Sequence, residues 1–142
     1  MRTFVLIKPD GVRRGLAGEI VSRFERYGIR LVGLRIISMG RDRAEKLYAV
    51  HKGKPFYNDL MEYITSGPVA VMALEINLPA EDAIKMVRKV VGATNPLNAE
   101  MGSIRGDYGL IVSENIVHAS DSKESADYEI PIFFNESDMV KY

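Results

Sequence analysis

Thr3-Phe-Val-Leu-Ile7 is apolar or β-branched throughout and runs directly into Lys8-Pro-Asp-Gly11. The first run suits a buried strand. The second is turn chemistry, with proline presetting φ and glycine tolerating positive φ. Beyond it, Leu16, Ala17, Ile20, Val21, Phe24 and Tyr27 fall at helical spacing, and Gly28 stands where a C-terminal cap belongs. A strand followed by an amphipathic helix therefore opens the fold.

The same reading carries on along the chain. Ile29 to Met39, rich in Ile, Leu and Val, predicts a long strand. Asp42-Arg-Ala-Glu45 has the form of a capping box ahead of a helix bearing Ala44, Leu47, Tyr48 and His51, and a second short helix is expected from Pro55 through Ile64. Val69 to Ile76 predicts a strand, and Pro79-Ala-Glu-Asp82 opens a helix whose stripe is Ala83, Ile84, Val87, Val90 and Val91, closed by Gly92. Residues 93–108 have little periodicity and predict a long loop, of a length that is usually functional or disordered. Tyr108 to Ser113 reads as the last strand, and Asp121-Ser-Lys-Glu124 as the cap of a helix that stops or kinks before Pro131.

Without the extra helices this order is βαββαβ. It implies an α+β, ferredoxin-like fold: a four-stranded antiparallel sheet with helices on one face, plus an added helical hairpin and a C-terminal helix. A chain of 142 residues with no linker or repeat is expected to be one domain, residues 1–142. That superfold hosts many activities, so function has to come from particular residues.

Composition narrows the choice. Lys plus Arg and Asp plus Glu each number 19, so no overall field draws the chain to nucleic acid or to anionic lipid. Without cysteine there are no disulfides, thiolate metal sites or cysteine nucleophiles. The apolar start is short and quickly charged, and no run approaches about 18 apolar residues; the expectation is a cytoplasmic protein with no membrane partner. Neither Gly-x-x-x-x-Gly-Lys-Ser/Thr nor Gly-x-Gly-x-x-Gly occurs, so any nucleoside triphosphate would be held without a common glycine-rich cradle. No His/Asp/Glu cluster has metal-ligand spacing, so any Mg2+ is expected to arrive on the nucleotide.

Of the two histidines, His51 extends an apolar helical stripe and reads as packed or partly buried, structural or peripheral to a ligand. His118 lies in Asn115-Ile-Val-His-Ala-Ser-Asp121, among small and polar residues just past the last strand and before a helix N-terminus, a setting suited to meeting phosphate. By spacing alone it is equally a surface histidine between turn residues. Other residues stay open in the same way. Arg88 either reaches across the sheet or is a solvated helix arginine, and Arg105 either clamps phosphate with its guanidinium fork or is an exposed loop residue. Lys8 either marks a ligand-binding edge or snorkels to solvent. Tyr48 and Phe56 either frame a flat base or pack in the core, and Glu129 either orients the second imidazole nitrogen or lies on a helix surface.

Asn115-Ile-Val-His118-Ala-Ser-Asp-Ser122 resembles the active-site signature of nucleoside diphosphate kinases, a highly specific pattern. Phe4-Val-Leu-Ile-Lys8-Pro-Asp-Gly11, Gly67-Pro68-Val69, Gly92-Ala-Thr94-Asn-Pro96 and Ile104-Arg105-Gly106-Asp107 match further family segments in order, so the resemblance spans roughly residues 2 to 134. It implies that His118 is phosphorylated, with Glu129 holding its other nitrogen and Ser120 in support. It further implies that Arg88, Thr94 and Arg105 meet phosphates, that Lys8 and Asn115 meet ribose hydroxyls and phosphate, and that Tyr48 reaches the transferred group. The base would stack on Phe56, with Val112 opposite and Leu60 beside it, giving wide base and sugar tolerance among ATP and the other nucleoside tri- and diphosphates. Family assemblies imply a homo-oligomer, a hexamer first and a tetramer second.

Departures from the family pattern are Met101 where proline is usual, a longer connection from Asn77 to Asp82, and a chain that ends at Tyr142. Met101 is expected to loosen the loop carrying Arg105 without abolishing activity. Two other classes compete. Arg105-Gly-Asp-Tyr-Gly-Leu-Ile-Val112 partly matches the aromatic strand of RNA-recognition domains, but Asp107 interrupts it, it sits on the last core strand, and the net charge is zero. A phosphocarrier passing phosphate from His118 to a protein would have no use for the base and ribose residues.

Overall fold

The computed structural model describes residues 1–142. Its elements in chain order are β1 (Arg2–Ile7), α1 (Pro9–Arg13), α2 (Ala17–Glu25), β2 (Arg30–Ser38), α3 (Arg41–Leu47), α4 (Tyr57–Ile64), β3 (Pro68–Glu75), α5 (Ala80–Val91), α6 (Ile104–Tyr108), β4 (Val117–Ala119) and α7 (Lys123–Phe133), with 3-10 turns at Ala49–His51, Pro96–Asn98 and Glu136–Asp138. The four strands form one antiparallel sheet in the order β2-β3-β1-β4. The expected α+β architecture is therefore present, with β1 and β3 central and almost wholly buried.

Strand alternation divides the interior in two. Val5, Ile7, Met72, Leu74, Val117 and Ala119 face α2 and α5, where they pack with Ile20, Phe24, Ala83, Val87 and Val91. Phe4, Leu6, Val69, Val71 and Ala73 face the opposite way, onto Leu47, Met61, Ile64, Ile130 and Phe133 of α3, α4 and α7 and onto Tyr48, which caps the end of α3. The helices added to the βαββαβ frame thus cover its second face. β4 has only three residues, yet its register is set on both sides: Val117 and Ala119 enter the first cluster, and His118, paired with Leu6, turns to the second. A slip of one residue would bury the imidazole among aliphatic side chains and reverse every neighbour.

Several expectations need correction. Tyr108 to Ser113 is not a strand. Tyr108 ends α6, Ile111 makes one bridge to Glu114, and Leu110, Ile111 and Val112 are exposed, because the free edge of β1 is already taken by Val117–Ala119. His118 consequently lies within the last strand and not beyond it. The loop over residues 93–108 contains α6, and Pro9-Asp-Gly11 forms the start of α1, with Lys8 as its N-cap, rather than a plain turn. Helix α3 begins at Arg41 with Gly40 as N-cap and no side-chain cap, so Asp42 does not form the capping box. At α7 the cap is Ser122, whose hydroxyl accepts from Ser125 N–H, and the helix runs through Pro131 to Phe133. Proline is tolerated there because it is exposed and the carbonyl it deprives, that of Asp127, belongs to an exposed residue. His51 lies in a 3-10 turn and not on a continuation of α3, and it is partly buried, one of the two settings its place in the stripe allowed.

Candidate active site

His118 emerges from β4 with its Nε2 2.5 Å from Glu129 Oε1, and Ser120 Oγ donates to the same oxygen at 3.1 Å. Glu129 is buried and reaches back from the second turn of α7. A carboxylate can only accept, so the imidazole proton sits on Nε2 and the Nδ1 lone pair is left free. The rings of Phe4 and Tyr48 confine the imidazole, with centroids 6.0 and 5.7 Å away, the tyrosine edge-on. Tyr48 is buried, and its hydroxyl has no partner. Burial, with the charge of Glu129 adding to it, raises the Tyr48 phenol above its ordinary range and keeps it protonated.

A second constellation lies along the ends of β1 and β4. Lys8 Nζ donates to Asn115 Oδ1 at 2.8 Å, and Asn115 Nδ2 donates to the Thr94 carbonyl at 2.9 Å, which chains these three residues together. Lys8 is buried, so it does not snorkel. Desolvation first, and the charge of Arg105 second, bring its amine down to about 8 against the opposing pull of Asp10.

Arg105 is not an exposed loop arginine. Its Nε donates to the Asn115 carbonyl at 3.3 Å, Nη1 to Gly92 at 3.0 Å and Nη2 to Val117 at 2.5 Å. Three of the five guanidinium N–H groups are thereby committed to the backbone beneath the site, leaving two for a ligand. Burial and the nearby Arg88 charge lower its pKa to about 10. The short helix α6 makes this placement possible: Ser103 Oγ caps it by accepting from Gly106 N–H, and Asp107 ties it to α2 through Arg23 at 2.6 Å. Gly92, at φ 91°, closes α5 in a conformation that L side chains avoid, and a Cβ there would lie 2.4 Å from Ser103 Oγ. Met101 is 92% exposed and takes no part in these bonds, so the loop is anchored independently of it.

Arg88 is half-buried on α5, and its charge is felt by both Arg105 and Asp121. Phe56, just before α4, and Val112, in the loop after α6, are both about half exposed, while Leu60 packs partly against the second core cluster. The Phe56 ring meets His51 edge-on at 5.3 Å, and His51 in turn stacks on Tyr48 at 6.0 Å, so an aromatic path leads from the half-exposed Phe56 to His118. Sequence reasoning missed three residues at the site: Asp10, Tyr63 and Ile116. The first read as a turn residue and the second as part of a helix. The third carries a positive φ that nothing in its side chain announces.

A family model described as nucleoside diphosphate kinase matches residues 1–139. The chain belongs to that family. A nucleoside diphosphate kinase of Saccharolobus solfataricus is 53% identical over 138 residues, covering 97% of both chains. Among solved structures, a nucleoside diphosphate kinase family protein from Babesia bovis superposes with a TM-score of 0.93 at 42% identity, covering 99% of this chain and 93% of that one. A halophilic nucleoside diphosphate kinase from Halobacterium salinarum, solved with CDP, gives 0.93 at 42% identity, covering 100% and 92%. As a nucleoside diphosphate kinase, this chain is an enzyme that moves phosphate between nucleotides. No helix in it is long and apolar enough to cross a membrane.

Proposed function

We propose that His118 is a covalent phosphoryl carrier in a two-step, ping-pong transfer from nucleoside triphosphate to nucleoside diphosphate. The observation that carries this reading is the 2.5 Å contact between His118 Nε2 and Glu129, which leaves Nδ1 as the one free nucleophilic nitrogen of a confined imidazole. In the first step Nδ1 attacks the γ-phosphorus in line; the N–P bond forms, the bond to the β,γ-bridging oxygen breaks, and the diphosphate departs. A second diphosphate reverses these events with its own β-oxygen. As the ring gains positive charge, Glu129 stabilises it through the Nε2 proton, and Ser120 keeps that carboxylate in place.

In this reading the two spare N–H groups of Arg105, with Arg88 and Thr94, receive phosphate oxygens, and the protonated Tyr48 hydroxyl donates to the transferred group. Lys8 and Asn115, already joined, meet ribose hydroxyls and phosphate. Phe56, Val112 and Leu60 take the base by its faces, without reading its hydrogen-bonding edge, which supports wide base and sugar tolerance. The CDP bound to the Halobacterium relative is consistent with a diphosphate occupying such a site. Magnesium enters as part of the nucleotide substrate, where it neutralises phosphate charge; of the nearby carboxylates, Glu129 is engaged with His118, and Asp121 accepts from Ser125 Oγ. The whole chain acts as one domain, in a homo-oligomer for which a hexamer is favoured over a tetramer.

The test is to mix the protein with γ-labelled ATP, remove nucleotide, and add CDP, GDP, UDP or dTDP separately. Acid-labile label should appear on the protein and pass to each diphosphate at comparable rates. Absence of labelling, or full labelling of His118→Ala, would defeat the proposal.

A further inference from the structure

Between Asn115 and His118 the backbone makes a turn that few sequences would choose. Ile116 has φ 76°, costly for a β-branched residue, and Val117 N–H donates to the Asn115 carbonyl across it at 2.8 Å, the pattern of a γ-turn. A conformation of this kind persists only where its surroundings over-determine it. The Ile116 carbonyl accepts from Lys8 N–H at 2.7 Å, and its amide donates to Asp10 Oδ2 at 3.1 Å. The other oxygen of Asp10 accepts from the Tyr63 hydroxyl of α4. Gly11 completes the seat, because a Cβ there would stand 2.9 Å from the Ile116 side chain and 2.8 Å from that of Ile7.

We infer that Asp10, anchored by Tyr63, is a positioning residue: by holding the Ile116 amide it sets the turn that aims the Asn115 side chain at Lys8 and Thr94, and so prepares the ribose and phosphate contacts. Asp10 touches neither His118 nor Glu129. Its effect travels through one buried hydrogen bond into the turn whose first residue, Asn115, joins Lys8 at 2.8 Å and Thr94 at 2.9 Å. Its negative charge also opposes the desolvation of Lys8. Of the side chains converging here, Lys8, Arg105 and Asp10 carry charge, and Asp10 is the one anion.

This inference rests on the proposed role of His118, and the experiment separates the two. Phosphoramidate can phosphorylate a reactive histidine with release of ammonia and needs no base or ribose contact. Wild type, Asp10→Ala, Asp10→Asn and Tyr63→Phe are compared for nucleotide kcat and KM and for the rate of labelling His118 by phosphoramidate. Asp10→Ala, which strands a buried amide, is expected to lose about tenfold or more in nucleotide kcat/KM, mainly through KM. Its phosphoramidate labelling should stay within about twofold of wild type. Asp10→Asn keeps an oxygen for the Ile116 amide and should restore most of the loss, whereas Tyr63→Phe should lose about threefold by freeing the carboxylate. Should Asp10→Ala not fold, Asp10→Asn and Tyr63→Phe decide the matter by the same split. Wild-type nucleotide kinetics in Tyr63→Phe, or a parallel fall of both reactions in any folded variant, overturns the inference. A wild type that phosphoramidate and ATP both leave unlabelled overturns the His118 reading instead.

Discussion

Replacing Glu129 by Gln changes neither size nor shape but removes the charge that faces the imidazole. In the wild type, Glu129 Oε1 is 2.5 Å from His118 Nε2 and also accepts from Ser120 at 3.1 Å, in a buried setting that strengthens both bonds. A charge-assisted hydrogen bond contributes about 1.5–3 kcal/mol, and here it grows as positive charge develops on the ring. At 1.36 kcal/mol per decade, that is a loss of roughly 10- to 150-fold in the phosphorylation step. If the Gln amide presents its nitrogen, the proton moves to Nδ1 and the nucleophile is masked, which places the result at the upper end. The chain contains no tryptophan to report the reaction, so rapid quench with γ-labelled ATP is the suitable assay. Phosphorylation of Glu129→Gln within about twofold of wild type would refute the argument that this carboxylate prepares Nδ1.

Other outcomes follow from the same geometry. Arg105→Lys should strand at least two of the three carbonyls now served by the guanidinium, costing about 3 kcal/mol and lowering the melting temperature by roughly 10 °C; calorimetry showing a shift under about 2 °C would contradict it. Gly92→Ala forces an L residue to φ 91° against Ser103 Oγ and should reduce both stability and turnover through displacement of the carbonyl that Arg105 holds, as checked by thermal melting and steady-state kinetics. For Lys8, whose folded pKa of about 8 lies below the unfolded 10.5, the penalty for a buried charge is fully present below pH 8. That penalty is relieved as pH rises from about 8 toward 10.5, because the unfolded chain then binds more protons. Nucleotide affinity should move the opposite way, weakening above pH 8 as the free amine loses its proton. Titration of nucleotide Kd against pH should show that inflection in wild type, and Lys8→Met should abolish it.

Where apolar spacing and burial coincide, the fold was legible. β1, β3, α2 and α5 stand within a residue or two of their expected positions, because each buries a continuous stripe or run. Tyr108 to Ser113 misled for the opposite reason: its apolar residues are exposed, and the short, half-polar Val117–Ala119 takes the sheet edge instead. Helix α1 lacks periodicity because five residues make barely more than one turn. At the site, His118, Glu129 and Ser120 converge as the motif suggested. Arg105 was named from its fork chemistry, yet its bonds to three carbonyls depend on tertiary approach that spacing does not encode. Asp10 and Ile116 were hidden for the same reason, since a γ-turn at isoleucine is imposed by neighbours 106 residues away in the chain.

The central claim is that Nδ1 of His118 carries the phosphoryl group while Nε2 stays with Glu129. Brief reaction with γ-labelled ATP, followed by alkaline digestion and identification of the phosphohistidine isomer by phosphorus NMR or chromatography, tests it directly. Phosphate on Nδ1 of His118, dischargeable by added nucleoside diphosphate, is the expected result; phosphate on Nε2, or on any other residue, would contradict it.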